Sequence, residues 1–193
     1  LIPNKKVTDI PSVMIEDLIT DYPNINKEEK VMIGGNFCRW YGGFDSYIVA
    51  QEFECPIFAP SMGRKVEHED IVPNLTHYPY LNWNEWIKTL SSHKYAIHMM
   101  PTIAAGTFSM NCAFLGVPCI GYDNADTQRK LHPELSVKMG DIKQARILAN
   151  KLKNDKKFLE NCSKECKLNY KKLYSEKQFL KHMEKTFNLG DNK

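Results

Sequence analysis

The 193-residue sequence contains no apolar stretch approaching the ~20 residues that a membrane-spanning helix requires. Its first residues lack the charged-then-apolar pattern of a secretion signal. These absences argue against a helical membrane protein and leave only peripheral contact with a membrane open. A large excess of either charge is lacking too: 26 Lys and Arg stand against 23 Asp and Glu, a formal net charge of +3. Only the segment 151–185 is dense in Lys, and it reads as the solvated face of helices, so nucleic acid is not an expected partner. There is no CxxC pair among the six cysteines, and Cys162 and Cys166 are spaced as one helical turn. Cys38, Cys55, Cys112 and Cys119 complete the set, and free thiols in a reducing, cytoplasmic compartment are the expectation. Asp123 and Asp126 have no further acids beside them, so no metal site and no cofactor are expected. No Ser-His-Asp or Cys-His arrangement can be argued from residue order, and neither a repeat nor a low-complexity tract is present.

What is present is a chain long enough to bury a core, and it fits one large domain better than two. Its centre is KYAIHMMPTIAAGTFSMNCAFLGVPCIGY, from Lys94 to Tyr122. An apolar run from Tyr95 to Met100 predicts a buried strand, bounded by Pro101. A turn of small residues follows, with Thr107 or Ser109 placed to cap a helix carrying Met110, Ala113 and Phe114 on one face. Gly116 stops that helix, and Val117 to Tyr122 predicts a second strand. In a parallel sheet this βαβ unit puts the turn at the carboxyl edge, where ligands bind.

The rest of the chain supports the same architecture. Residues 29–37 predict a first strand ending in a glycine turn, and 45–53 a helix capped by Asp45 or Ser46. Residues 55–60 and 76–81 predict further short strands, and 63–74 a loop or small helix. Asn82 starts a helix with Trp83, Trp86, Ile87 and Leu90 on one face, which reads as a core face. Residues 123–136 predict a polar loop in which Pro133 opposes a long helix. Asp141 caps a helix with Ile142, Ala145, Leu148, Ala149 and Leu152 on one side, and 156–187 is helical with a break near Ser175. The fold class is α/β: a Rossmann-like open parallel sheet with helices on both faces.

Candidate binding residues cluster at two bends. Gly34, Gly35 and Asn36 end the first strand, and Arg39 stands in the flexible GGNFCRWYGG loop, where a guanidinium suits a diphosphate. Gly106, Thr107 and Ser109 offer hydroxyls and free N–H groups at a helix start. Tyr80 and Leu81, after a strand at the same edge, suit the wall of a base pocket. His98, among apolar residues, reads as a satisfied core histidine, whereas His132, in the polar loop, is the better placed to face a ligand.

From about Lys30 onward the order of elements resembles the C-terminal, donor-binding half of GT-B-fold glycosyltransferases. The likeness is carried by the glycine turn with Arg39 near it, by THYPYLNWNEW, by Gly116-Val117-Pro118 leading into CIGY, and by the helices around Asp141, Leu152 and Asp155. Two places where retaining members carry Glu are Ile103 and Asn111 here, and the place of a common Lys is Phe44. The Thr/Ser turn is more similar to those of heptosyltransferase-like members and UDP-sugar 2-epimerases.

The resemblance implies residues 1–28 as a lead-in or connector from a missing N-terminal domain, 29–188 as one half of a GT-B fold, and 189–193 as a polar tail. It implies a nucleotide-sugar, UDP- or GDP-linked, as the partner and substrate. It also implies that no metal takes part and that the acceptor domain lies elsewhere. Gly34, Gly35, Asn36, Gly106, Thr107 and Ser109 would surround the diphosphate, Tyr80 and Leu81 the base, and Arg39 would stabilise the departing diphosphate. The alternatives are a nucleotide-sugar 2-epimerase-like domain and a non-enzymatic α/β interaction domain, the latter presenting a flat carboxyl edge.

Overall fold

The computed structural model describes residues 9–19, 26–35, 37, 40–61, 69, 71–104 and 106–187. Six strands, β1 (Glu28–Ile33), β2 (Ile57–Pro60), β3 (Leu75–Tyr78), β4 (His93–His98), β5 (Cys119–Tyr122) and β6 (Ser136–Val137), form one sheet in the order β3-β2-β1-β4-β5-β6. Every neighbouring pair is parallel. The helices are α1 (Gly43–Ala50), α2 (Trp83–Ser91), α3 (Thr107–Leu115), α4 (Asp126–Leu131), α5 (Ile142–Asn154), α6 (Lys156–Leu173) and α7 (Glu176–Phe187). Strand order reverses direction between β1 and β4, which makes the gap above their carboxyl ends the place where a ligand can enter between the turns.

The central strands are apolar along their length because both faces are covered. Alternation sorts their side chains: Val31, Ile33, Tyr95 and Ile97 pack with Val49, Ala145, Ala149 and Leu152 on one face. Met32 and Ala96 pack with Ile87, Leu90, Met110 and Ala113 on the other. Tyr95 stacks on Phe53 beneath α1, with ring centroids 4.1 Å apart.

The helix ends show which local signals sufficed. Asn82 forms a capping box with Glu85 at the start of α2, each backbone N–H meeting the other's side chain. Asp141 and Asp155 cap α5 and α6, Gly116 ends α3 in the left-handed conformation (φ +62°), and α6 gives way to α7 at Ser175. The caps expected for α1 and α3 are not formed. α1 begins at Gly42 with φ +63°, where a Cβ would lie 1.8 Å from the Met99 carbonyl oxygen. Ser46 instead donates to the Gly42 carbonyl and accepts from Met99 N–H, and Asp45 accepts from the Tyr122 hydroxyl. The loop 123–136 holds the short α4, a 3-10 turn at Pro133–Leu135 and β6. Pro133 follows the helix and ends it, so it opposes only a long one.

In the lead-in, Met14 is buried with Met32 against α2 and α3, and Glu16 accepts hydrogen bonds from the Tyr170 hydroxyl and Glu176 N–H at the α6–α7 corner. Cys55, Cys112, Cys119, Cys162 and Cys166 are buried free thiols, and Cys38 lies outside the described residues. No described helix is long and apolar enough to cross a membrane.

Candidate functional site

The carboxyl edge is not flat. Above it, on the α2 and α3 side, a cleft of about 610 Å³ opens among four strand ends. Gly35 and Tyr41 follow β1, Pro60 and Ser61 close β2, Pro79 to Leu81 follow β3, and His98 and Met100 close β4. Trp83 and Trp86 of α2 line it, as do Gly106, Thr107, Phe108 and Asn111 of the β4–α3 turn. None of these side chains carries a fixed charge, so the described lining can meet an anion only with neutral donors, backbone N–H groups and hydroxyls among them.

Those groups are concentrated at the start of α3. Gly106 has φ +64°, and a Cβ there would lie 2.4 Å from Thr127 Oγ1, so only glycine fits without displacement. The Gly106 carbonyl accepts from Ser109 Oγ at 2.8 Å and from Thr127 Oγ1 at 2.9 Å, which anchors the bend to α4. No side chain caps the helix, so its first-turn N–H groups and the positive end of its dipole remain available. The Thr107 hydroxyl sits beside them in the cleft lining.

The aromatic side is built by a direct strand-to-helix connection. Because α2 starts only a few residues after β3, its first turn stands at the carboxyl edge, and Trp83 and Trp86 line the cleft with Tyr80. The opposite end of the same helical face, Ile87 and Leu90, is core. Asn111 joins the two walls. With its amide turned to suit both neighbours, its nitrogen donates to the Thr107 carbonyl at 3.1 Å, and its oxygen accepts from Trp86 Nε1 at 3.0 Å.

Of the residues singled out in the sequence, Gly35, Tyr80, Leu81, Gly106 and Thr107 meet on this one cleft. Gly34 supports it from behind: its N–H donates to the Ile97 carbonyl, and a Cβ there would lie 2.5 Å from the Phe108 ring. Ser109 is buried and committed to Gly106 and Thr127, which removes it from the lining. Asn36 and Arg39 lie outside the described residues.

Three assignments change. His132 does not face a ligand; it is 3% exposed, accepts from Cys119 N–H at Nδ1 (3.4 Å) and donates from Nε2 to the Ser109 carbonyl (2.9 Å). It braces α3 against β5, and burial lowers its pKa to about 4 despite the opposing effect of the Ser109 bond. His98, expected as a satisfied core residue, lines the cleft and has no partner at Nε2. Trp83 and Trp86 are cleft residues and not simply core. The signal for the tryptophans was present in the sequence, in the short spacing from a strand to the Asn82 cap. Nothing local distinguished His98 from a paired histidine. Among the described residues no group of three His, Cys, Asp or Glu could hold a metal ion.

No protein-family model and no curated protein sequence matches the chain. Solved structures match its fold. A TarM mutant from S. aureus, in complex with fondaparinux, alpha-GlcNAc-glycerol and UDP, superposes with a TM-score of 0.74 over 97% of this chain and 40% of its own, at 12% identity. The pneumococcal O-GlcNAc transferase GtfA, in complex with UDP and GlcNAc, gives 0.69 over 90% and 38%, at 16% identity. Anabaena Alr3699/HepE, in complex with UDP-glucose, gives 0.66 over 83% and 48%, at 9% identity. The chain thus spans less than half the length of each. Its fold is the Rossmann-like half of the GT-B architecture found in glycosyltransferases.

Proposed function

We propose that this chain is the donor-binding half of a glycosyltransferase and that its cleft holds a nucleoside-diphosphate sugar, UDP-linked in first preference to GDP-linked. The observation that carries this reading is the convergence of an uncapped helix start at Gly106–Thr107 with Gly35 and the Tyr80–Trp83 wall on one cleft. An anionic diphosphate is suited to the helix end, and a flat base to the aromatic side. The UDP and UDP-glucose complexes among the similar folds support the choice of nucleotide class.

In this reading the chain contributes leaving-group stabilisation. As the bond between the sugar and the diphosphate breaks, negative charge grows on the phosphate oxygens. Backbone N–H groups and the Thr107 hydroxyl meet that charge without reorganising, and Arg39 adds a cation in a metal-independent transfer. The acceptor, and the group that activates it, are assigned to a second domain.

Calorimetric titration of this chain with UDP, GDP and ADP tests the proposal. Saturable UDP binding in the micromolar to millimolar range, competed by a UDP-sugar, is the expected result. Failure of every nucleoside diphosphate to bind at millimolar concentration would overturn it.

A further inference from the structure

We propose that the outward face of α6 is a docking surface for the anionic headgroups of a lipid bilayer. α6 and α7 together hold nine Lys and no Arg against four Glu, a net +5, so the rest of the chain carries −2 beneath the total of +3. Cys162, Cys166 and Tyr170 turn into the core beside α3. At 3.6 residues per turn this sends Lys157, Lys164, Lys167, Leu168, Lys171 and Lys172 outwards, and all six are exposed, Leu168 to 66%. Acids do not neutralise this face. Glu160 is drawn back one turn to Lys156 at 4.0 Å, Glu165 lies on the flank near Glu134, and Glu176 accepts from the Glu16 N–H. Among the described residues no carboxylate comes within ion-pair distance of Lys164, Lys167, Lys171 or Lys172. On other elements Lys30, Lys94, Lys130 and Lys153 are each paired with an acid.

The composition of the face selects the partner. Lys164 with Lys167, and Lys167 with Lys171, are like charges at i,i+3 and i,i+4, an arrangement that weakens a helix left in water. α4 shows the opposite, with Asp126 paired to Arg129 and Lys130 at the same spacings. Lys164 to Lys172 span about 12 Å of helix axis, close to the screening length of about 8–10 Å at ordinary salt, so their fields add where a negative plane approaches. Nucleic acid is the rival polyanion. It is held by paired hydrogen bonds from Arg and by stacking on aromatic rings, and the outward face of α6 has neither. A bilayer demands no such fixed geometry: the ammonium groups meet headgroup phosphates, while their aliphatic stems and Leu168 lie against the acyl boundary. None of these residues lines the cleft, so the inference stands apart from the donor-binding reading.

The test is co-sedimentation of the whole chain with vesicles of phosphatidylcholine alone and of phosphatidylcholine mixed equally with phosphatidylglycerol. Wild type should bind the mixed vesicles at low salt, ignore the neutral ones and be released at about 0.5 M salt. A lysine near an anionic surface contributes about fivefold, so Lys164→Gln, Lys171→Gln and Lys172→Gln together should weaken binding about a hundredfold. A control that removes the same charge elsewhere, Lys88→Gln, Lys138→Gln and Lys143→Gln, should weaken it less than about threefold. Leu168→Ser should weaken it about fivefold through lost apolar contact. All seven side chains are exposed, so the substitutions leave the packing of the core intact. No preference of wild type for the anionic vesicles would return α6 to a merely solvated face, and equal losses in the two triple variants would reduce the effect to net charge; either overturns the proposal. Tighter binding to a mixed-sequence single-stranded RNA than to the anionic vesicles, abolished by the α6 substitutions, would give the face to nucleic acid and overturn it too.

Discussion

Thr127 Oγ1 donates to the carbonyl of Gly106 at 2.9 Å, joining the first turn of α4 to the bend that opens α3. Ser109 Oγ donates to the same oxygen and lies 2.9 Å from Thr127 Oγ1, so two hydroxyls hold the bend from behind. Thr107 stands on the other side, in the cleft. The division of labour predicts that Ser109→Ala lowers unfolding stability by about 1 kcal/mol with little direct effect on ligand affinity. Thr107→Ala should leave urea unfolding unchanged and weaken UDP binding severalfold by calorimetry. A loss of affinity confined to Ser109→Ala would reverse the assignment.

Gly42 is irreplaceable for a different reason. Its φ of +63° disfavours any side chain, and an added Cβ would lie 1.8 Å from the Met99 carbonyl oxygen, which belongs to the backbone and cannot swing away. Gly42→Ala should destabilise the chain by about 3 kcal/mol or more. Gly140, with φ +86° and open space within 4 Å of where a Cβ would stand, provides the comparison: Gly140→Ala carries only the backbone strain and should cost about 1 kcal/mol. Chemical denaturation of the two variants side by side gives the answer.

Acid should destabilise this chain before its carboxylates titrate. Burial lowers the pKa of His93 to about 3 and of His98 and His132 to about 4, below the usual 6.5 of an unfolded histidine. Between those values the unfolded chain binds protons that the folded chain refuses, so stability is full above pH ~6.5 and falls as pH drops towards ~4. The maximal slope is about 1.4 kcal/mol per pH unit for each such histidine. Urea midpoints at pH 7.5, 6.5 and 5.5 should therefore fall progressively; constant midpoints would show that these histidines are not held neutral.

Trp83 and Trp86 report on the cleft. The sequence has three tryptophans, and Trp40, the third, is not among the cleft residues. UDP should quench the intrinsic fluorescence of the wild-type chain, and Trp83→Leu should reduce both the quench and the affinity, the latter about threefold to tenfold. Unaltered quenching and affinity in that variant would remove Trp83 from the ligand's surroundings.

Much of the architecture follows from spacing along the chain. The apolar runs at Val31–Ile33 and Tyr95–Ile97, the capping residues Asn82, Asp141 and Asp155, and the stop at Gly116 act through neighbours no more than a few positions away. Their structure can therefore be read locally. The alternation of strand and helix then implies a parallel sheet with Gly106–Thr107 at its carboxyl edge. α4 and β6 were less legible, because a helix of six residues and a strand of two carry too few side chains to show a period.

What the residues near one another in the sequence determined is the existence of a βαβ unit and the edge to which its turn belongs. Only the tertiary structure decided which side of that turn faces the cleft. Ser109 and Thr107 are both hydroxyl residues in one helical turn, and it is α4, brought back by the chain, that claims one and leaves the other free. His98 and His132 divide in the same way: each is a buried imidazole, but Cys119 and the Ser109 carbonyl satisfy His132 from distant positions, whereas no described group satisfies Nε2 of His98. Partners supplied by packing leave no local periodic trace, and for that reason the fold was more legible than the roles of its polar residues.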